Sequence, residues 1–154
     1  MIFGFTGTQR GMTQFQKTEL LLRLTDCSEF THGDCIGADE QANYIAFELG
    51  IRIFTIFPPT DTRKRAYCFN PEKDLMNDNA QWREINWNGK IVRVRWMPKD
   101  AYLERNKKIV DHCYKMIATP KEYEHTLRSG TWATIRYAWK IKRDLIIIPP
   151  VNRS

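Results

Sequence analysis

Apolar and polar positions follow two rhythms along this chain. A short apolar run, Ile2-Phe3-Gly4-Phe5, closes at Thr6-Gly7-Thr8. With no apolar–polar alternation, it suits a strand buried on both faces, as in parallel sheets. Residues 13–24 then show helical spacing, with Phe15, Leu20, Leu21, Leu22 and Leu24 as the apolar stripe. Thr13 is placed as its N-cap, and Gln16 stands at capping-box distance.

The unit then repeats. Glu29-Phe30-Thr31-His32 reads as a short strand, residues 38–49 as a helix closed by Gly50, and residues 52–57 as a strand stopped by Pro58-Pro59. Further on, residues 101–112 and 131–142 read as helices. Residues 114–118 and 145–148 read as strands. Strands alternating with helices of this length predict a single α/β domain over residues 1–154. Its expected form is a Rossmann-like doubly wound parallel sheet of about five strands in the order 3-2-1-4-5.

Residues 60–98 interrupt the alternation as an insertion. Two β-rich arms flank Asn88-Gly89, the strongest short hairpin signal, because a type I′ turn needs positive φ at both central positions. The expected placement is a hairpin beside the mouth of the sheet. Trp82, Trp87, Trp96, Tyr67 and Phe69 mingle there with Arg63, Arg65, Arg93 and Arg95. Three roles fit that mixture: a lid over a ligand, packing or subunit contact, and a nucleic-acid surface.

Composition narrows the field. The 154 residues are 42% hydrophobic and 27% charged, as in soluble globular chains. No apolar run approaches the roughly 20 residues of a membrane helix, and the N-terminus lacks the basic flank of a signal peptide. Cys27, Cys35, Cys68 and Cys113 are scattered without a C-x-x-C pair, which favours reduced thiols and a cytoplasmic setting over disulfides or zinc. His112 and His125 lack metal-ligand spacing, so neither a metal nor a cofactor is expected. A net charge of +6 calls for an anionic partner without choosing among nucleotide, nucleic acid and acidic protein.

Three glycine-containing turns fall where predicted strands meet helices. They are Gly7-Thr8-Gln9-Arg10-Gly11, His32-Gly33-Asp34-Cys35-Ile36-Gly37-Ala38-Asp39 and Arg128-Ser129-Gly130-Thr131. A doubly wound sheet brings all three to its carboxyl edge, where ligands bind. Glycine lets backbone N–H groups approach a phosphate, and the helix behind adds unpaired donors and the positive end of its dipole. Thr8, Ser129 and Thr131 offer hydroxyls, and Arg10 or Arg128 a charge-assisted bond. Each turn taken singly also fits ordinary capping; their convergence is what argues for a phosphate site. Asp39 suits either a ribose or base contact or the first turn of its helix, while His32 reads as a packed strand-end residue.

The segment from His32 to Asp39 resembles the H-G-x-x-x-G-A-D signature of small bacterial and phage proteins in the SLOG superfamily of Rossmann-like proteins. That superfamily includes the DNA-processing protein DprA and the cytokinin-activating phosphoribohydrolases. Arg105-Asn106-Lys107-Lys108-Ile109 is similar to its R-N-x-x-M/I segment, and Ser129-Gly130-Thr131 through Ala138 to its G-T helix start. The resemblance covers nearly the whole chain outside the insertion. It implies a nucleotide pocket lined by Gly7, Thr8, Arg10, Gly33, Gly37, Asp39, Arg105, Asn106, Ser129, Gly130 and Thr131.

One departure bears on chemistry. The hydrolytic branch carries P-G-G-x-G-T-x-x-E, and its glutamate works with an arginine to cleave an N-glycosidic bond. Arg105 fits the arginine, but Thr134 occupies the glutamate position and Thr126-Leu127-Arg128 the P-G-G. A hydroxyl cannot replace a carboxylate as base or as stabiliser of an oxocarbenium ion. The expectation is therefore a protein that binds a nucleotide or nucleotide-derived signal, of ADP-ribose type or cyclic, as a sensor or a sponge in bacterial or phage conflict. At this length no fused effector is expected, and a homo-oligomer is. The alternatives are a nucleotide N-glycosidase using Arg105 with Asp39 or Glu104, and a DprA-like nucleic-acid-binding module.

Overall fold

A computed structural model describes residues 1–74 and 78–152. Among these residues four α-helices and seven strands follow in the order β1 (Ile2–Gly7), α1 (Gln14–Arg23), β2 (Glu29–His32), α2 (Ala38–Glu48), β3 (Ile53–Ile56), β4 (Arg83–Trp87), β5 (Lys90–Trp96), α3 (Tyr102–His112), β6 (Lys115–Thr119), α4 (Gly130–Lys140) and β7 (Asp144–Ile147), with a short 3-10 helix at Thr62–Lys64 between β3 and β4. The sheet runs β4-β5-β3-β2-β1-β6-β7, and every neighbouring pair is parallel except β4 with β5. This is a Rossmann-like α/β arrangement.

Strand count and order differ from the expected five-strand sheet. The insertion supplies two further strands, and its hairpin does not lie beside the mouth. It extends the sheet past β3, with β5 parallel to β3 from Ile53 opposite Arg93 to Ile56 opposite Trp96. The edge of β3 would otherwise expose unpaired backbone groups. Alternation in β5 then buries Val92, Val94 and Trp96 in the main core. The turn itself is as the sequence indicates, with φ of 51° at Asn88 and 79° at Gly89.

Both sheet faces are covered near the centre. Leu20 of α1, its C-cap Leu24, and Ala42 and Phe47 of α2 pack with Phe3, Phe5, Phe30 and Phe54 in one cluster. Ile109 and Val110 of α3 and Ala138 of α4 pack with Met116 in another. The apolar face of α1 is set at its start by a complete capping box. Thr13 Oγ1 accepts from the Gln16 amide at 3.1 Å, and Gln16 Oε1 accepts from the Thr13 amide at 3.0 Å.

The first part of the insertion folds over the turn after β2. Arg65 is buried and donates from Nε to Asp34 Oδ2 at 3.0 Å and from Nη2 to Asp78 Oδ1 at 3.2 Å. Asp34 also accepts from the Cys68 amide at 2.9 Å. Phe69 packs edge-on against Phe54 and Trp87. Packing therefore accounts for Phe69, Trp87 and Trp96, whereas Trp82 stays exposed, with the guanidinium groups of Arg93 and Arg95 over its ring.

Candidate functional site

The sheet order reverses between β1 and β6, so the loops leaving these two strands border a crevice. At the end of β1 the chain turns sharply. Thr8 O accepts from the Gly11 amide at 3.1 Å and from the Ala38 amide at 3.0 Å, and Thr8 Oγ1 accepts from the Arg10 amide at 3.2 Å. A side chain at Gly7 would collide with Thr119 and Ala38, so glycine is what lets β1 end against both β6 and α2.

Across the crevice α4 begins. Ser129 is its N-cap, and Ser129 Oγ accepts from the Trp132 amide at 3.2 Å. The first-turn amides of a helix have no partner inside it, which leaves those of Gly130 and Thr131 beside the crevice. Tyr102 of α3 lays its hydroxyl against Gly130, leaving no room for a side chain there. The open cavity between them measures about 310 Å³. Gly7, Thr8 and Arg10 line one side, and Arg128, Ser129, Gly130 and Thr131 the other. Lys121 and Glu122, just past the end of β6, complete the wall with Gln9 and Tyr102. No residue of the insertion lines it among the described residues.

The remaining predicted site residues lie behind this cavity. Asp39, 6% exposed, accepts through Oδ2 from the amides of Gly33 at 3.2 Å and Cys35 at 3.3 Å. Burial raises its pKa to about 6 despite the positive charge of Arg105 nearby. Arg105, 2% exposed, donates to the carbonyls of Gly33 and Phe57, and its guanidinium lies 5.1 Å from the centre of the Tyr102 ring. Gly37 has a φ of 90° and packs against the Gln9 carbonyl, joining the second turn to the first. Asn106 lines a separate cavity of about 180 Å³ between α3 and α4, together with Thr134.

Two sequence candidates are tied into the framework. Thr134 donates from Oγ1 to the Gly130 carbonyl at 3.1 Å, within its own helix. His32 is fully enclosed: Nδ1 accepts from the Asp34 amide at 2.9 Å, so the proton sits on Nε2, which donates to Asn43 Oδ1 at 2.8 Å. Burial drives its pKa down to about 4. Among the described residues, no group of three or more His, Cys, Asp or Glu could hold a metal ion. Nor is any helix long and apolar enough to cross a membrane.

Sequence reasoning missed Tyr102, Lys121 and Glu122. The available signal was positional: Lys121 and Glu122 follow the strand that pairs with β1, so the switch-point rule places them at the crevice.

The fold and crevice define a Rossmann-like α/β protein. No protein-family model matches the chain, and no curated protein matches it. Among solved structures it is similar to the X-ray structure of TM1055, Northeast Structural Genomics Consortium target VT76. The TM-score is 0.56 at 12% identity, over 94% of this chain and 71% of that one. At that identity the likeness is one of fold.

Proposed function

We propose that this protein binds a phosphate-bearing nucleotide or nucleotide-derived signalling ligand at the carboxyl edge of its sheet, as a sensor or a sequestering protein. One observation carries the proposal. The turn after β1 and the N-terminus of α4 meet across a single cavity with Arg10, Lys121 and Arg128 on its walls. Free helix-start amides together with arginine and lysine are what an anion needs. Binding without N-glycosidic hydrolysis is favoured because Thr134 bonds back to its own helix and Arg105 bonds to backbone carbonyls under the second turn. The three motifs and the fold-level likeness support, in the same spirit, a relation to the SLOG group.

The test is thermal unfolding against a panel of mononucleotides, ADP-ribose-type and cyclic nucleotides, with wild type and Arg10→Glu. Both charge and exposure make Arg10 a safe position to change. A stabilising shift for a nucleotide that the variant loses is the expected result. Release of free base at turnover would overturn the binding-only assignment. Retention of oligonucleotide that weakens steeply with salt would favour a nucleic-acid module instead.

A further inference from the structure

Helices α1 and α2 pack side by side on one face of the sheet and, following parallel strands, run in the same direction. A groove between them faces solvent. Lys17, Leu21, Tyr44, Ile45 and Glu48 line its first part, a cavity of about 360 Å³. Leu21 also lines the next cavity, of about the same volume, together with Leu24 and Leu49 at the far ends of the helices. The groove is therefore continuous, with Leu21 46% and Leu49 44% exposed along it. Single exposed apolar side chains are ordinary, whereas a contiguous apolar groove marks a contact surface. Two charges flank the first cavity, Lys17 near the start of α1 and Glu48 at the end of α2. Neither side chain has an ion pair or a hydrogen bond among the described residues.

We propose that a second copy of this chain docks in the groove, forming a two-fold dimer. Such a contact requires a surface that is its own complement. Opposite charges set apart along one apolar groove meet that requirement. A two-fold axis crossing the groove midway between them places each Lys17 against Glu48 of the second copy. The two grooves then run antiparallel. Leu21, one turn beyond Lys17, and Ile45, one turn short of Glu48, are covered between the charge pairs. A nucleic acid or a uniformly acidic protein would call for one sign of charge along the groove, and this groove has both. Helices of 10 and 11 residues make a contact at the small end of interface sizes, so the dimer is reversible, with a Kd on the order of micromolar. None of these residues lines the cavity at the start of α4, so self-association is independent of the ligand reading.

Sedimentation equilibrium from about 1 to 300 µM brackets that Kd. Wild type is expected to pass from monomer to dimer over this range. Leu21→Asp, at an exposed position, should fold as wild type does and stay monomeric throughout. Lys17→Glu and Glu48→Lys each create two like-charge pairs in the dimer and should weaken it about tenfold. The Lys17→Glu, Glu48→Lys double variant restores both pairs in reversed order and should return to within about threefold of wild type. Should Leu21→Asp not fold, the charge reversals carry the test alone. A wild type that stays monomeric overturns the proposal, as does a dimer that all three single variants leave intact. A double variant no tighter than the single reversals overturns the antiparallel arrangement.

Discussion

Two glycine-rich turns at the same sheet edge have opposite fates. The turn after β2 is closed upon itself: Asp39 takes the Gly33 and Cys35 amides, Arg105 takes the Gly33 carbonyl, and Asp34 is held by Arg65 and Cys68. The start of α4, facing the turn after β1, keeps its amides, Arg10 and Arg128 beside a cavity. Glycine and a helix start occur at both. The difference lies in whether nearby side chains already satisfy the backbone. A satisfied turn is framework, and an unsatisfied one is a site.

Breaking the closed turn should have the largest effect. Arg65→Leu leaves Asp34 buried without its cation, which costs about 3–5 kcal/mol for a buried pair broken on one side. Urea unfolding checks this, and a loss below about 1 kcal/mol would mean the network is dispensable. Arg105→Leu is expected to cost about 2–4 kcal/mol through the carbonyls and Asp39 it leaves behind. Its affinity for phosphate probes should change far less, as calorimetry below the melting temperature would show. A large affinity loss at unchanged stability would move Arg105 into the open site.

The pH dependence sharpens the same contrast. His32 has a folded pKa of about 4 against an ordinary 6.5, so on acidification the unfolded state takes the proton first. Its contribution is complete above pH 6.5 and is lost as the pH falls towards 4. Asp34 and Asp39, raised to about 6 by burial, act in the opposite sense, because the folded state takes their protons first. His32→Gln isolates the histidine. Its destabilisation should be about 2 kcal/mol smaller at pH 5 than at pH 8, read from paired urea curves. A deficit independent of pH would show that His32 takes up its proton alike in the folded and unfolded protein, so that burial does not lower its pKa. The smallest stability effect belongs to the open site, where Arg10→Glu should alter unfolding by no more than about 0.5 kcal/mol.

The β-α alternation was legible because period and punctuation agree: β2 spans the expected Glu29–His32, and the N-cap Thr13 is in place. The sheet extension was not, because hairpin strength says nothing about which edge the hairpin joins. That choice follows from the free edge of β3 and the alternation of Val92, Val94 and Trp96, which acquires a direction only against a core. At the site, glycines and caps could be read in sequence order, so Gly7, Thr8, Arg10 and Ser129-Gly130-Thr131 meet as expected. The inward turn of Arg105 and the place of Glu122 on the cavity wall depend on neighbours 72 residues away in one case and on a loop path in the other.

The most direct measurement is the nucleotide-induced melting shift of wild type beside the Arg10→Glu, Arg128→Glu double variant. Occupancy at a hundred times Kd adds about 2.7 kcal/mol, or roughly 5–10 °C for a domain of this size. Such a shift in wild type, absent from an equally stable double variant, is the expected result. An equal shift in both proteins, or none in wild type with any phosphate-bearing nucleotide, would contradict a phosphate site between the turn after β1 and the start of α4.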